Sequence, residues 1–208
     1  MADAATVVLL VRHWLTPTTG IKLPGQAPGL HLTDEGRRQA EAAAVRIKAL
    51  PKVAAVYSSH LERARETGAP IARMRGLALR IDRDLADLDI GSWTGLSLKQ
   101  ASRRPEWEAV QRNPSGFRFP GGESFLEMQT RIVETMARLH QAHPGGTVVA
   151  VSHADPIKAA AASALGTHLD LFQRILISPC SVTAIAYGDG GPMVLTVNST
   201  DVDGLKPQ

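Results

Sequence analysis

Apolar positions along this chain fall into two kinds of pattern, unbroken β-branched runs and stripes at helical spacing. Thr6 to Val11 reads TVVLLV, which predicts a strand covered on both faces in a parallel sheet. The run ends abruptly at Arg12 and His13, and Pro17, Gly20, Pro24, Gly25, Pro28 and Gly29 then mark a long loop without period. Thr33 offers a helix N-cap, and the spacing predicts a helix from Asp34 to about Leu50, stopped by Pro51. Val53 to Tyr57 predicts a second strand, with Ser58 and Ser59 turning into a helix over Leu61 to Met74. Leu79 to Ile81 predicts a short third strand, and Asp84 to Gly95 is a polar stretch with no clear period.

Ser97 to Val110 predicts a helix broken near Pro105, followed by loop from Gln111 to Gly122. From Ser124 to Gln141, the residues Phe125, Met128, Ile132, Met136 and Leu139 share one helical face, so this Met and aromatic stripe belongs to the core. Thr147 to Val151 (TVVAV) is a second buried strand, and it ends at Ser152 and His153 just as the first ends at Arg12 and His13. Asp155 to Leu165 predicts an alanine-rich helix, and Ser181 to Tyr187 and Met193 to Val197 predict closing strands around the turn Gly188 to Pro192. Strands alternating with helices imply an α/β fold, a single-domain three-layer sandwich with a mostly parallel central sheet flanked by helices. Ligands of such sheets sit beyond the carboxyl ends of the strands. Without repeat, low-complexity tract or linker, residues 1–208 read as one domain.

Composition narrows the function classes. The chain carries 23 basic and 20 acidic residues, net +3, and its pI of 9.3 comes from Lys and Arg spread along the chain rather than clustered. That balance suits a small anionic metabolite and argues against nucleic acid. One cysteine, Cys180, rules out an internal disulfide or a thiolate metal cage and reads as a small buried apolar residue. Met1 to Thr6 has no basic region, and Val7 to Val11 is too short for a signal core or membrane span. The expectation is a soluble, cytoplasmic protein that contacts no membrane, and its apolar edge strand Met193 to Val197 could pair across a homodimer.

Two histidines, His13 and His153, stand at carboxyl ends of predicted buried strands, one of them beside Arg12. Neither has Cys or carboxylate neighbours at metal-ligand spacing, so no metal site is expected. Phosphoryl chemistry accounts for the combination. A phosphate ester needs fixed cations on its oxygens, and a neutral imidazole, with a reference pKa near ~6.5, can attack phosphorus.

The motifs in order resemble those of the histidine phosphatases, or phosphoglycerate mutase-like proteins. Val11-Arg12-His13-Trp14-Leu15-Thr16 is similar to the family's Arg-His-Gly-x-Thr, and Leu32-Thr33-Asp34-Glu35-Gly36-Arg37-Arg38-Gln39-Ala40 to its loop-to-helix segment. Tyr57-Ser58-Ser59-His60-Leu61-Glu62-Arg63-Ala64-Arg65-Glu66-Thr67 resembles Ser-Ser-Pro-Leu-x-Arg-Ala-x-x-Thr, with His60 for proline. Asp87 to Gly95 is similar to the segment holding the family's proton donor, usually Glu. Pro120-Gly121-Gly122-Glu123-Ser124 and Val151-Ser152-His153-Ala154-Asp155 follow in the family's order, from Val7 to about Val197 in all. The resemblance implies His13 as nucleophile, Arg12, Arg63 and His153 as phosphoryl ligands, Asp87 as acid with a raised pKa, and Asp89 as its rival. Thr16 is implied as a phosphate contact. Thr19 stands where the family commonly has an asparagine on the phosphate.

Trp14, in place of glycine, is expected either near the pocket mouth or in the packing below it. Mutases of the family carry a tyrosine and a lysine where this chain has Ile90 and Leu98. The leading expectation is therefore a phosphatase of a sugar phosphate or phosphoglycerate type ester, without cofactor. The alternatives are a mutase using 2,3-bisphosphoglycerate and a non-catalytic phosphate-binding relative. Arg103, Arg104, Arg112 and Arg118 either bind a second anionic group or form a solvated basic face.

Overall fold

The computed structural model describes residues 5–200; residues 1–4, part of the stretch read above for a leader, and 201–208 lie outside the described residues. In chain order the elements are β1 (Thr6–Arg12), α1 (Asp34–Lys48), β2 (Val53–Ser58), α2 (Glu62–Arg75), β3 (Leu79–Ile81), α3 (Leu98–Ala101), α4 (Trp107–Arg112), α5 (Phe125–Ala142), β4 (Thr147–Ser152), α6 (Ala154–Ala164), β5 (Val182–Gly188) and β6 (Gly191–Ser199).

The apolar run of β1 divides by parity. Val8 and Leu10 enter one core cluster and Leu9 and Val11 another, and β4 divides the same way, with Val148 and Ala150 opposite Val149 and Val151. A strand with no polar side must be covered twice, which is why the molecule has three layers. Ala44 and Ile47 of α1 and Ala64 and Ile71 of α2 cover one face. Met128, Ile132 and Met136 of α5, with Ile157 and Ala160 of α6, cover the other. Thr33 caps α1 by accepting from the Gly36 amide at 2.9 Å, and Ser124 and Glu127 form a capping box at the start of α5.

The six-stranded sheet has the order β3-β2-β4-β1-β5-β6. β1 and β2 run parallel to β4, as does β3 to β2, while β5 and β6 are antiparallel. The register sets Arg12 beside Ser152 and Ser58 beside Val151, so His13, Ser59 and His153 leave neighbouring strands at one carboxyl edge. Two further bonds fix that edge, from the His13 amide to the Ser152 carbonyl at 3.0 Å and from the Ser59 amide to the Val151 carbonyl at 3.1 Å.

The helix expected over Ser97 to Val110 with a break near Pro105 is a pair of short helices, α3 and α4, with Pro105 in the gap. Proline removes an amide and clashes with the preceding turn, so the break is complete rather than a kink. The Asp84 to Gly95 stretch holds 3₁₀ turns over Arg83–Leu85 and Gly91–Trp93, and Pro114–Gly116 makes another in the loop after α4. The closing hairpin turns tightly on Asp189 and Gly190, because Gly188 pairs with Gly191, and this extends β6 beyond the predicted strand at both ends. Among the described residues β6 is the outermost strand on its side of the sheet, with Met193 and Leu195 exposed.

Two glycines hold the 3₁₀ turn after Asp89 against the loop before α5. Gly91 has φ +48°, and a Cβ there would lie 2.3 Å from the Pro120 carbonyl oxygen; a Cβ on Gly122 would lie 2.3 Å from the Asp89 carbonyl oxygen. Gly91→Ala should therefore cost more than about 2 kcal/mol, from backbone strain plus the clash. A urea midpoint equal to that of the native protein would contradict this close approach.

Candidate active site

His13 is 5 % exposed at the end of β1. Its Nδ1 lies 2.7 Å from the backbone carbonyl oxygen of Trp14. A carbonyl only accepts, so the ring proton sits on Nδ1 and the Nε2 lone pair is left free. Burial, and then the Arg63 and Arg12 charges, push the His13 pKa down to about 3, so the ring stays neutral across the physiological range. His153 faces it with ring centroids 5.0 Å apart. The His153 Nε2 is bonded to Ser59 Oγ at 2.8 Å. Its Nδ1 is buried without a hydrogen bond, 3.6 Å from Asp87 Oδ2. Burial and the Arg63 charge hold this imidazole well below its ordinary pKa as well.

The cations are fixed by backbone carbonyls. Arg63, on the first turn of α2, is 0 % exposed. Its Nη2 donates to the Gly25 carbonyl at 2.7 Å and to Asp87 Oδ2 at 3.2 Å, while Nε and Nη1 are buried with no acceptor. Open donors on a fully buried guanidinium are costly unless an anion meets them. Arg12 Nη1 donates to the Ile177 carbonyl at 2.5 Å, and its Nε also lacks a partner. Thr16 and Thr19 come together as expected, with hydroxyls 3.0 Å apart, and the Thr19 hydroxyl also accepts from the Thr16 amide.

Asp87 sits between the basic groups. Burial raises its pKa to about 6, against the pull of Arg63 and with a further push from the Asp155 charge. Its backbone is held from several sides. Gln26 Nε2 donates to the Asp87 carbonyl at 2.8 Å, and Ser152 Oγ to the Leu85 carbonyl at 2.8 Å. Arg131 of α5 donates from Nη1 to the carbonyls of Asp84 and Ala86, and pairs with Glu123 at 2.6 Å. Glu123 in turn accepts from the Asp89 amide at 2.9 Å. Asp89, the rival acid, spends its carboxylate on the Gly91 amide at 3.0 Å and does not line the pocket. Arg131→Met should loosen the Asp87 loop and lower kcat roughly tenfold with little change in KM, a 1 Å displacement of an acid being enough for such a loss. A raised KM at unchanged kcat would assign Arg131 to binding instead.

Arg12, His13, Thr16, Thr19 and Asp87 line one pocket of about 370 Å³, and Arg63 and His153 are buried beside it. Trp14 does not line it. The indole packs below with Leu32, Ala40, Ala43 and Cys180, which resolves the choice left by the sequence in favour of packing. Arg104, Arg112 and Arg118 do not line it either, nor does Arg103. Ser59, Gln26, Arg131, Asp155, Lys158 and Gln173 were not singled out from the sequence. Ser59 and Asp155 lie inside quoted motifs, whereas Arg131 looks like any polar residue of an amphipathic helix. Among the described residues, no group of three or more His, Cys, Asp and Glu side chains gathers as metal ligands would. No helix among them is long and apolar enough to cross a membrane.

A sequence model of the histidine phosphatase superfamily (branch 1) matches residues 8–200. The chain belongs to this superfamily. Among curated relatives, it is 34% identical over 197 residues to a bifunctional protein of Mycobacterium tuberculosis, covering 94% of this chain and 54% of that one. The chain thus spans about half the length of that relative. It is 26% identical over 198 residues to phosphoserine phosphatase 1 of Hydrogenobacter thermophilus, covering 93% and 92% of the two chains. Among solved structures, a mycobacterial glucosyl-3-phosphoglycerate phosphatase superposes with a TM-score of 0.85 at 25% identity, covering 94% of this chain and 100% of the other.

Proposed function

We propose that the protein is a phosphomonoesterase that hydrolyses a small phosphate ester through a phosphohistidine on His13. The observation that carries this reading is the His13 ring, neutral, with its proton fixed on Nδ1 by the Trp14 carbonyl and its Nε2 lone pair free beside buried guanidinium donors. In the first step Nε2 attacks phosphorus and the ester P–O bond breaks. Asp87, protonated below about pH 6, passes its proton to the departing alkoxide. Arg12 and Arg63 neutralise the charge on the phosphoryl oxygens, the uncharged His153 ring donates a hydrogen bond to them from Nδ1, and Thr16 and Thr19 add hydroxyl contacts. In the second step the Asp87 carboxylate takes a proton from water as that water attacks phosphorus, which releases phosphate and restores neutral His13.

Arginines supply the positive charge in this scheme, so no metal or organic cofactor is required of it. Two of the relatives given above are named as phosphatases, which fits hydrolysis. Ile90 is buried against Gly25, where an added Cβ would come within 2.6 Å of it, and offers no polar hold on a bisphosphorylated intermediate. The partner is then a small phosphorylated metabolite, and a cytoplasmic setting fits the single buried thiol.

The test is rapid-quench turnover of a labelled ester. Label is expected on His13 in an acid-labile, base-stable form, with release of inorganic phosphate that a chelator does not change. Interconversion of 3- and 2-phosphoglycerate faster than phosphate release would replace this reading with that of a mutase.

A further inference from the structure

We infer that the alcohol half of the substrate is uncharged and apolar, with a flat aromatic group the best match; this rests on the hydrolase reading above. Beside the 370 Å³ pocket that holds His13 lies a second recess of about 230 Å³. Leu23, Leu98, Asp155, Lys158 and Gln173 border both cavities. Beyond that shared border the recess is walled by Trp107, Val110 and Phe119. Trp107 stacks on Trp93 at an interplanar angle of 15° and a centroid separation of 6.4 Å, and Phe119 meets Trp93 edge-on. These walls offer flat faces to a ring, with hydrogen bonding confined to the Gln111 side chain and the unpartnered Trp93 indole N–H.

Charge points the same way. An alcohol half bearing a carboxylate, such as a phosphoglycerate or phosphoserine, would need a cation outside the phosphoryl site. Apart from Arg12, no arginine lines either cavity. The Arg104 guanidinium lies over the Trp93 ring at 5.2 Å, Arg112 pairs with Glu108 at 3.0 Å, and Arg118 pairs with Glu127. Lys158 does reach the border, but it is held between Asp155 Oδ1 at 3.3 Å and Gln173 Oε1 at 2.9 Å. Its charge is already balanced, and an entering carboxylate would face Asp155. Lys22 is the remaining cation of the lining, and it is exposed at the rim. The rim itself carries Leu176, which is 70% exposed. A dianion at the bottom and an apolar body above is the arrangement these walls accept.

The experiment compares kcat/KM for 3-phenylpropyl phosphate, propyl phosphate and O-phosphoserine, all esters of alkyl alcohols, with phosphate release as the readout. The phenyl ester is expected to exceed propyl phosphate by roughly 10- to 100-fold, with O-phosphoserine no better than propyl phosphate. In Val110→Asp the ratio of the first two constants should fall toward one. A ratio within one preparation does not depend on how much of the variant is folded. A native ratio near one, a Val110→Asp ratio equal to the native one, or a preference for O-phosphoserine would overturn this inference and leave hydrolysis standing. No turnover of any of the three esters, with no label on His13, would overturn the hydrolase reading and this inference with it.

Discussion

His13→Ala is expected to reduce phosphate release by roughly 10,000-fold or more, because the variant lacks the atom to which the phosphoryl group is transferred. Arg12, Arg63, Thr16 and Thr19 remain, so the ester should still bind. His13 makes a side-chain hydrogen bond to the Trp14 carbonyl and is partly accessible from the pocket. Its loss should cost only about 1–2 kcal/mol of stability. The measurement is steady-state phosphate release together with a urea melt. A folded His13→Ala protein that retains activity within tenfold of native would remove the nucleophile from the mechanism. So would covalent label found on the variant.

The pH profile should be governed by Asp87 on its alkaline side. Burial raises this carboxyl to about 6, and the acid acts in its protonated form, so kcat/KM should fall as pH rises through about 6. On the acid side the His13 ring gains a proton only near 3, which leaves a plateau between the two. Asp87→Asn should lower kcat roughly 100- to 10,000-fold for alkyl esters and abolish the limb near 6. An ester with a good leaving group, such as p-nitrophenyl phosphate, should lose far less. Equal losses for both kinds of ester would show that Asp87 does not protonate the leaving oxygen. The same shift has a stability consequence. The folded-state value lies above the ordinary one, so this carboxyl's contribution is present at low pH and is lost as pH rises through about 6.

The sheet was legible because its central strands are apolar on both sides, and TVVLLV and TVVAV are short and rich in β-branched residues, which favours strand over buried helix. The same runs located the site, since each stops at a polar pair that the parallel register brings to one edge. The stretch from Asp84 to Gly122 was not legible in the same way. Its shape depends on contacts between segments with no period of their own, such as Gly91 against Pro120 and Glu123 under the Asp89 amide. Thr16 and Thr19 could be named from a motif, but their mutual hydrogen bond could not. Arg131 was invisible for a different reason. An arginine on a helix normally ends in water, and only the folded chain shows it turned onto the carbonyls of Asp84 and Ala86. For the four arginines of the 103–118 segment the sequence leaves an anion site and a solvated basic face equally open, because a basic count carries no direction, and none of them lines the pocket.

The acceptor that orients His13 belongs to the main chain of residue 14. No point substitution there can delete it; only a change in the path of the chain can. Drift at that position is therefore filtered by how well each side chain fills the space among Leu32, Ala40, Ala43 and Cys180, and a glycine-to-tryptophan exchange next to the reacting atom need leave no mark on turnover. For anyone wishing to engineer the molecule, residue 14 is a place to adjust robustness to heat while the chemistry is held constant.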